Sequence, residues 1–496
     1  MNKFILTVIN LLIINLGTLH PQMVTSFILD EDPDRSGLVG NGITDLLWSD
    51  TTRTLYVGTG FGLSTTQNTG ATWKNFIPND YGGQGGVSAI AVDVDGTLWI
   101  ATAYDTLVED DQRLSIGGGL RYLYPDSTNW VFIPQPVDAR DDTANGKKPT
   151  TTRVQNLTFD IAILDTQIWI ASFGGGIRRS LDGGNIWEVI TTDGFPFSAL
   201  DHVNHRGFSL LAENSNIWTG TAGGISKSTD GGTTWQRFTH QNQNQPISGN
   251  FVIALAHNPW DNSVWAATIK AEDQEEFNAV SKTMNGGLTW DIHLKDELSD
   301  GTFVRYIAFK DSATYVATEK GVYKTIDNGQ SWFKFPQIRD IDSGDELLTN
   351  TFFSVATSPA DWPNHRVWLG SSDGLVTSAD NGFSWTIFRS FISTRERQEP
   401  RVYPSPNPYS PTRFDPLKFR FDISSKTIAK IDIFNFAMEK VTTLGPVDIE
   451  LNSGTYDQFI SWDGLDNNNR MVDNGVYFFR AQIGSEVTWG KIVVIN

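Results

Sequence analysis

The chain has 496 residues, of which 39% are hydrophobic and 19% charged, a composition typical of globular domains. Its formal net charge of −19 argues against a nucleic-acid partner and against an anionic membrane surface, because both would repel it. The sequence contains no cysteine, which excludes disulfides, thiolate catalysis and cysteine-ligated metal sites.

The N-terminal segment predicts export. In MNKFILTVINLLIINLG, Lys3 is followed by a largely apolar run from Phe4 to Leu16, which has the length of a signal-peptide core and is too short to cross a bilayer comfortably. We expect residues 1–22 to be a signal peptide, with an amphipathic membrane anchor as the alternative. The mature protein should then have no membrane span and be secreted or held at the surface of a Gram-negative-type cell.

Two phrases recur along the chain. The first is a short apolar strand around an aromatic residue: TLYVGT, TLWIAT, QIWIAS, NIWTGT, SVWAAT, ATYVAT and RVWLGS. The second follows it and is a turn that ends in tryptophan: STTQNTGATW, SLDGGNIW, STDGGTTW, TMNGGLTW, TIDNGQSW and SADNGFSW, with a degenerate copy at YPDSTNW. A catalytic site is usually made once, whereas a repeated turn indicates a repeated fold.

Each repeat reads as four strands, A to D, because β-branched and aromatic runs alternate with turns rich in Gly, Asn and Asp. Four-stranded units repeated in this way indicate propeller blades. We therefore predict an all-β protein in which residues 37–390 form a seven-bladed β-propeller, followed by a small Ig-like β-sandwich. We expect the propeller to need no strand from beyond Ser390.

The turn phrase resembles the Asp-box (BNR) repeat of sialidases, sortilin-type receptors, xyloglucan-degrading glycosidases and photosystem II stability factors. The resemblance implies a structural C–D turn on the face away from the ligand site, in which Asp accepts N–H bonds and Gly adopts a positive φ. We assign the following residues as structural box positions: Asp182, Trp187, Asp230, Trp235, Asn285, Trp290, Asp327, Trp332, Asp380 and Trp385. The first repeat is also similar to propeller repeats of bacterial two-component sensors.

The composition changes after Trp385. Residues 391–411 are charged and then proline-rich, which predicts a linker, and the alternating runs that follow predict an antiparallel sandwich at residues 400–496. VYPSPNPY, IAKIDIFNF, WDGLDNNNRMVDNGVYFFRAQ and KIVVIN resemble the FlgD-like immunoglobulin domain and, equally, the C-terminal sorting domain of proteins exported by the type IX secretion system. The latter resemblance implies that the secretion machinery recognises this domain.

In a propeller the B–C and D–A loops share one face, opposite the A–B and C–D turns, and the ligand is expected on the B–C/D–A face. Three long insertions there are acidic, and two facing carboxylates are what a glycosidase needs. The weak catalytic candidates are Asp105, Asp110, Asp111, Asp142, Glu272, Asp273 and Glu275, with Glu109, Asp141 and Glu276 beside them. The alternative is that these residues form solvated loop tips.

No phrase matches the sialidase arginine triad, a zinc H-E-x-x-H helix, a G-x-S-x-G nucleophile elbow or a phosphate-binding loop. We therefore assign no catalytic residue, no cofactor and no metal site. The favoured hypothesis is a non-enzymatic exported scaffold that binds a protein or glycan. The alternatives are a glycoside hydrolase or lyase that uses the acidic rim, and an assembly factor for an envelope complex.

Overall fold

The computed structural model describes residues 35–107, 113–340, 343, 345–361, 365–392, 402–414, 416–421, 423, 425–450 and 458–495. The chain divides into two compact units, Met1–Ile392 and Ser393–Asn496. In the described residues almost all regular structure is β-strand, with short 3-10 helices at Ala144–Gly146 and Val203–His205. No helix in these ranges is long and apolar enough to cross a membrane. The predicted signal peptide lies outside the described residues.

Seven antiparallel sheets of four strands follow one another in the described part of the first unit, each in chain order A-B-C-D. We number them sheets 1 to 7. The strands of sheets 1 to 4 are, sheet by sheet, Ile43–Ser49, Thr54–Thr59, Gly62–Thr66, Lys74–Phe76; Gly86–Val92, Leu98–Leu107, Arg113–Leu123, Val131–Ile133; Thr158–Leu164, Gln167–Ser172, Gly176–Ser180, Glu188–Ile190; and Gly207–Glu213, Asn216–Thr221, Gly224–Ser228, Gln236–Phe238. Those of sheets 5 to 7 are Phe251–Asn258, Ser263–Ile269, Ala279–Thr283, Asp291–His293; Val304–Lys310, Ala313–Thr318, Gly321–Thr325, Phe333–Lys334; and Phe352–Thr357, Val367–Ser371, Gly374–Ser378, Thr386–Phe388.

The A strands place the sheets around one axis. Each A strand packs against the A strand of the next sheet, and that of sheet 7 packs against that of sheet 1. The sheets therefore form a closed ring with the A strands innermost, which is the arrangement of a β-propeller. The B strands read as continuous apolar or small runs because both of their faces are covered; Trp169, for example, is fully buried.

A short strand pair joins the beginning and the end of this unit. Arg35–Gly37 pairs antiparallel with Ser390–Ile392, and the side chain of Asn41 accepts a hydrogen bond from the backbone N–H of Ser390 at 2.5 Å. The expectation that no strand beyond Ser390 is used is therefore wrong, because the pairing continues to Ile392. Residues before sheet 1 are thereby tied to residues after sheet 7.

The two recurrent phrases of the sequence meet at the interfaces between sheets. The ring of Trp235, which ends the box turn of sheet 4, lies 6.1 Å from that of Trp169 on strand B of sheet 3. Trp290 lies 6.5 Å from Trp218 in the same way, one sheet further on. Gly232 has φ +88°, and a Cβ atom at this position would overlap Trp169. The turn and the aromatic strand are thus two halves of one repeated contact.

The second unit contains two sheets around one core. The three-stranded sheet is formed by Tyr403–Ser405, Leu417–Phe421 and Gln458–Trp462; the four-stranded sheet, in spatial order, by Lys440–Ile449, Thr427–Phe434, Gly475–Ile483 and Glu486–Val494. Alternate residues face inward, and the ring of Phe419 lies 5.0 Å from that of Phe479 across the core. The unit is therefore a β-sandwich of seven strands in the described residues.

Candidate functional site

The box carboxylates are bonded within their own turns. In sheet 4, one oxygen of Asp230 accepts the backbone N–H groups of Thr233 at 3.1 Å and Thr234 at 2.8 Å, and the other accepts the Thr234 hydroxyl at 2.6 Å. The Ser228 hydroxyl donates to Asp230 at 2.7 Å and accepts the N–H of Gly232 at 2.8 Å. The Thr234 hydroxyl is the main reason that the pKa of Asp230 lies well below its usual range. These bonds use the carboxylate for the turn itself.

The other boxes repeat this geometry. Asp182 accepts the N–H of Ile186 at 2.9 Å, and Asn285 accepts that of Thr289 at 3.0 Å. Hydrogen bonds from Ser331 lower the pKa of Asp327 to about 2. Hydrogen bonds from the serine four residues on also lower the pKa of Asp380, to about 2, against the opposing effect of its burial. Among the predicted tryptophans, Trp290 and Trp385 are buried, whereas Trp187, Trp235 and Trp332 are half-buried.

A cavity of about 460 Å³ lies on the opposite face, between the loops of sheets 4 and 5. Glu276 lines the cavity and is only 3% exposed. The Glu276 carboxylate accepts the N–H of Ala271 at 2.7 Å, the side chain and N–H of Asn250 at 2.6 and 3.2 Å, and the side chain of Gln241 at 3.1 Å. The acidic insertion of sheet 5 is therefore an ordered loop with a buried carboxylate at its base.

The cavity presents both signs of charge. Asp273 accepts the N–H of Glu275 and the side chain of Gln241, both at 3.1 Å, and the first of these bonds is the main cause of its lowered pKa. Glu272 lines the same cavity with an exposed side chain. The guanidinium of Arg237 also lines it and donates to the carbonyl of Gly223 at 3.4 Å. A ligand there would meet carboxylates, amides and one cation.

Four phenylalanine rings lie on this same face. Phe208 is central: its ring centroid lies 5.4 Å from Phe159, 5.9 Å from Phe173 and 4.6 Å from Phe251. Three of the four stand at the start of the A strands of sheets 3, 4 and 5, and Phe173 stands in the B–C turn of sheet 3. Asn250 of the cavity directly precedes Phe251. We call the cavity and these four rings together the loop-face site.

The remaining predicted candidates lie apart from this site. Asp105 accepts the hydroxyl of Ser115 at 2.6 Å, and Asp142 forms an ion pair with Lys147, which also pairs with half-buried Asp138 at 3.3 Å. Neither Asp105 nor Asp142 lines the cavity. Glu109, Asp110 and Asp111 lie outside the described residues. The structure thus brings Glu272, Asp273 and Glu276 together, with Glu275 bonded to Asp273 only through its backbone.

Sequence reasoning missed two carboxylates at the centre of the ring. Asp45 accepts the N–H of Leu46 at 2.8 Å and that of Ile90 on the next sheet at 2.9 Å. Asp160 accepts the N–H groups of Ile161 and, on the next sheet, Leu210, both at 2.8 Å. Burial raises the pKa of Asp45 to about 6; burial and the neighbouring charge of Asp45 raise that of Asp160 to about 8. Each carboxylate ties two neighbouring A strands together.

A comparison of the seven A strands could have found these two residues. Each A strand carries a one-residue register shift near its start, and the residue after the shift is, in order, Asp45, Ala89, Asp160, Ser209, Ala254, Tyr306 and Ser354. Asp160 and Tyr306 line a central channel of about 560 Å³ together with residues of all seven A strands. Two of the seven repeats carry an aspartate at this position, and this departure from the other repeats marks Asp45 and Asp160 in the sequence.

The carboxylates of Glu276 and Asp273 in the cavity, and those at the centre of the ring, are already engaged in hydrogen bonds. Within the cavity Glu276 is fully engaged, and the pKa of Asp273 is lowered, whereas a general acid needs a raised pKa. Both oxygens of Asp45 and of Asp160 already accept backbone N–H groups. In the described part of the chain, no three His, Asp or Glu side chains are grouped so as to hold a metal ion.

No protein-family model matches the chain. No curated protein matches it either. Among solved structures, the GH74 xyloglucanase from Xanthomonas campestris is 13% identical, over 92% of this chain and 74% of its own, with a TM-score of 0.51. An ancestral GH74 enzyme is 14% identical, over 92% of this chain and 62% of its own, with a TM-score of 0.50.

PorZ, a bacterial surface component of the type-IX secretion system of Porphyromonas gingivalis, is 15% identical over 92% of this chain, with a TM-score of 0.44. The chain spans 60% of the length of PorZ. At such identities the likeness to the two GH74 enzymes concerns the fold alone. Together with the ring of four-stranded sheets, it identifies the chain as a β-propeller protein.

Proposed function

We propose that the chain is an exported, non-enzymatic β-propeller that binds a protein segment at the loop-face site. The observation that carries this proposal is the four-ring cluster beside a cavity with carboxylates, amides and Arg237. Apolar anchors next to a few convergent polar groups are the usual composition of a binding site. A segment with an apolar side chain beside a basic one fits the rings and the carboxylates of Glu272 and Asp273.

We further propose that each of the seven sheets is one blade of a seven-bladed propeller at residues 37–390, and that the tryptophan turns are Asp-boxes. The bonds repeated from Asp182 to Asp380 support the box assignment. The linker predicted at residues 391–411 is confined to residues 393–402, because Ser390–Ile392 and Tyr403–Ser405 are strands and Tyr409 is buried in the core of the second unit. Residues 400–496 form an Ig-like sorting domain. The sandwich topology of the second unit is consistent with this assignment.

The proposed location is the cell surface or the medium. It rests on the apolar run after Lys3, with residues 1–22 as the signal peptide, and on the resemblance of the C-terminal phrases to a type IX sorting domain. In this scheme the secretion machinery recognises the second unit, and the ligand is bound by the first.

Selection of random phage-displayed peptides on the full chain tests the binding function. The selected peptides should share an apolar residue next to Lys or Arg, and should lose at least about tenfold in affinity for Phe159→Ser and for Glu272→Lys. Both side chains are exposed, so both variants should keep the thermal unfolding midpoint of the parent. Phe383→Ser, on a box turn, is the matched control and should bind as the parent does.

Peptides that bind all three variants with equal affinity would place the ligand elsewhere and contradict the proposal. The glycoside hydrolase alternative is tested in parallel, because Glu272, Asp273 and Glu276 line one cavity. Release of reducing ends from a polysaccharide panel, abolished by Asp273→Asn and retained by Asp142→Asn, would favour the enzyme instead.

A further inference from the structure

The outer face of the four-stranded sheet in the second unit differs in charge from the rest of the chain. Alternate residues of the strand Thr427–Phe434 face opposite sides: Ile431 and Ile433 are buried in the core, whereas Lys430, Asp432 and Phe434 lie on the outer face. The unit Ser393–Asn496 has 12 basic and 13 acidic residues, in a chain of net charge −19. The outer face itself is rich in cations.

One carboxylate on this face is shared by three cations. Asp432 lies 3.0 Å from the ammonium of Lys440, 3.3 Å from that of Lys430 and 3.9 Å from the guanidinium of Arg480. Lys491, paired across strands with Phe478, adds a fourth cation to the same face. Two further carboxylates belong to this face: Asp448, paired across strands with exposed Ile428, and Glu439 in the hairpin turn at its edge. Four cations therefore meet three carboxylates, and the face keeps a small positive charge for a partner.

The hairpin turn at one edge of the face presents apolar side chains to solvent. Phe436 is 78% exposed, and Met438 is also exposed. The turn is held by hydrogen bonds from the N–H of Asn435 to the carbonyl of Glu439 at 2.9 Å and from the N–H of Met438 to the carbonyl of Asn435 at 3.0 Å. Glu439, the acidic residue of the turn, accepts the Asn435 side chain at 2.9 Å.

We propose that this face binds an anionic lipid surface, with Phe436 and Met438 inserted among the acyl chains and Lys430, Lys440 and Arg480 against the headgroups. Protruding apolar side chains beside a cluster of cations are features by which peripheral proteins lie in a membrane interface. A soluble polyanion would engage the cations but would leave Phe436 and Met438 in water. The net negative charge of the chain opposes the contact, and salt weakens this repulsion, with a screening length of roughly 8 Å at physiological ionic strength.

Co-sedimentation of the full chain with lipid vesicles tests the proposal. The chain should pellet with phosphatidylglycerol vesicles and remain in solution with phosphatidylcholine vesicles, and high salt should release it. Phe436→Ser combined with Met438→Ser should lower the partition coefficient at least about tenfold. Lys430→Gln should lower it about fivefold. Phe383→Ser, which replaces a phenylalanine that is 87% exposed in the first unit, should leave it unchanged.

Three results would overturn the proposal. The first is equal binding to the two kinds of vesicle. The second is an equal loss of binding in Phe383→Ser and in the hairpin variant. The third is binding of soluble dextran sulfate that Lys430→Gln weakens, without any binding to vesicles, which would assign the face to a soluble polyanion. Unchanged far-UV circular dichroism and thermal midpoints of all variants establish that a loss of binding is not a loss of folding.

Discussion

At the scale of single residues, Asp230 closes one box turn through the N–H groups of Thr233 and Thr234. Asp230→Ala leaves both groups without this acceptor, so we expect a lower midpoint of thermal unfolding. Asp230→Asn is the matched control and should melt close to the parent, because Asn285 makes the equivalent bonds in the box of sheet 5. Melting followed by circular dichroism measures this; equal midpoints for the alanine variant and the parent would argue against a structural role of the box.

Asp160 makes the stability of the ring depend on pH. Its pKa is raised from 3.8 to about 8 by burial, so the folded chain binds this proton more tightly than the unfolded chain does. The contribution of the group to stability is complete below about pH 4 and is lost as the pH rises to about 8. Relative to Asp160→Asn, which cannot titrate, the free energy of unfolding of the parent should fall across this range. Urea titrations at several pH values measure the free energy of unfolding of both chains. If the parent's value minus that of Asp160→Asn stays constant or rises with pH, the raised pKa of Asp160 is contradicted.

The contacts of some residues can be predicted from the sequence, whereas those of others cannot. The bonds of Asp230 and Asp380 join groups a few residues apart, so the local phrase contains all the partners. The contacts of Asp160 with Leu210 and of Phe159 with Phe208 cross from one sheet to the next, and depend on a register shift in strand A. A local sequence pattern does not indicate such contacts, although a comparison of the repeats marks the position of Asp160.

At the scale of elements, the interfaces between sheets contain the large aromatic side chains. Trp290 is 3% exposed and contacts Trp218 and Phe238 of the preceding sheet. Trp290→Ala should lower the free energy of unfolding by about 3–5 kcal/mol, because it leaves a large cavity between two sheets. Trp260→Ala, at a tryptophan that is 65% exposed, is the control and should change it little. Chemical denaturation measures both; a similar effect of the two substitutions would contradict this packing.

The strands and turns were largely predictable, because each repeat combines alternating apolar runs with turn residues, and the phrases are copied along the chain. The structure of the acidic loop of sheet 5 was harder to predict. Its charge suggested a solvated tip, yet Glu276 is buried because Asn250, Gln241 and Ala271 supply it with four donors. Two of these three residues lie on other segments, and composition cannot indicate that they converge.

At the scale of the whole molecule, the pairing of Arg35–Gly37 with Ser390–Ile392 joins the two ends of the first unit. A chain that stops at Arg389 lacks one partner of this pair and also the N–H that Asn41 accepts. We expect it to unfold at a lower temperature than a chain that stops at Arg397. Differential scanning calorimetry compares the two; identical transitions would mean that this strand pair does not contribute to ring closure.

The chain that stops near Arg397 also separates the two proposed roles. It keeps sheets 1 to 7 and the strand Ser390–Ile392, and it lacks nearly all of the second compact unit. Since each unit has its own core, we expect the shortened chain to fold and to bind the selected peptides with the affinity of the parent. We also expect it to be absent from the cell surface and the medium, because the sequence that the secretion machinery would recognise is missing. Fractionation of the native host and peptide titration of both purified chains measure these outcomes. Normal delivery of the shortened chain, or loss of peptide binding while it remains folded, would contradict the separation of address and binding site.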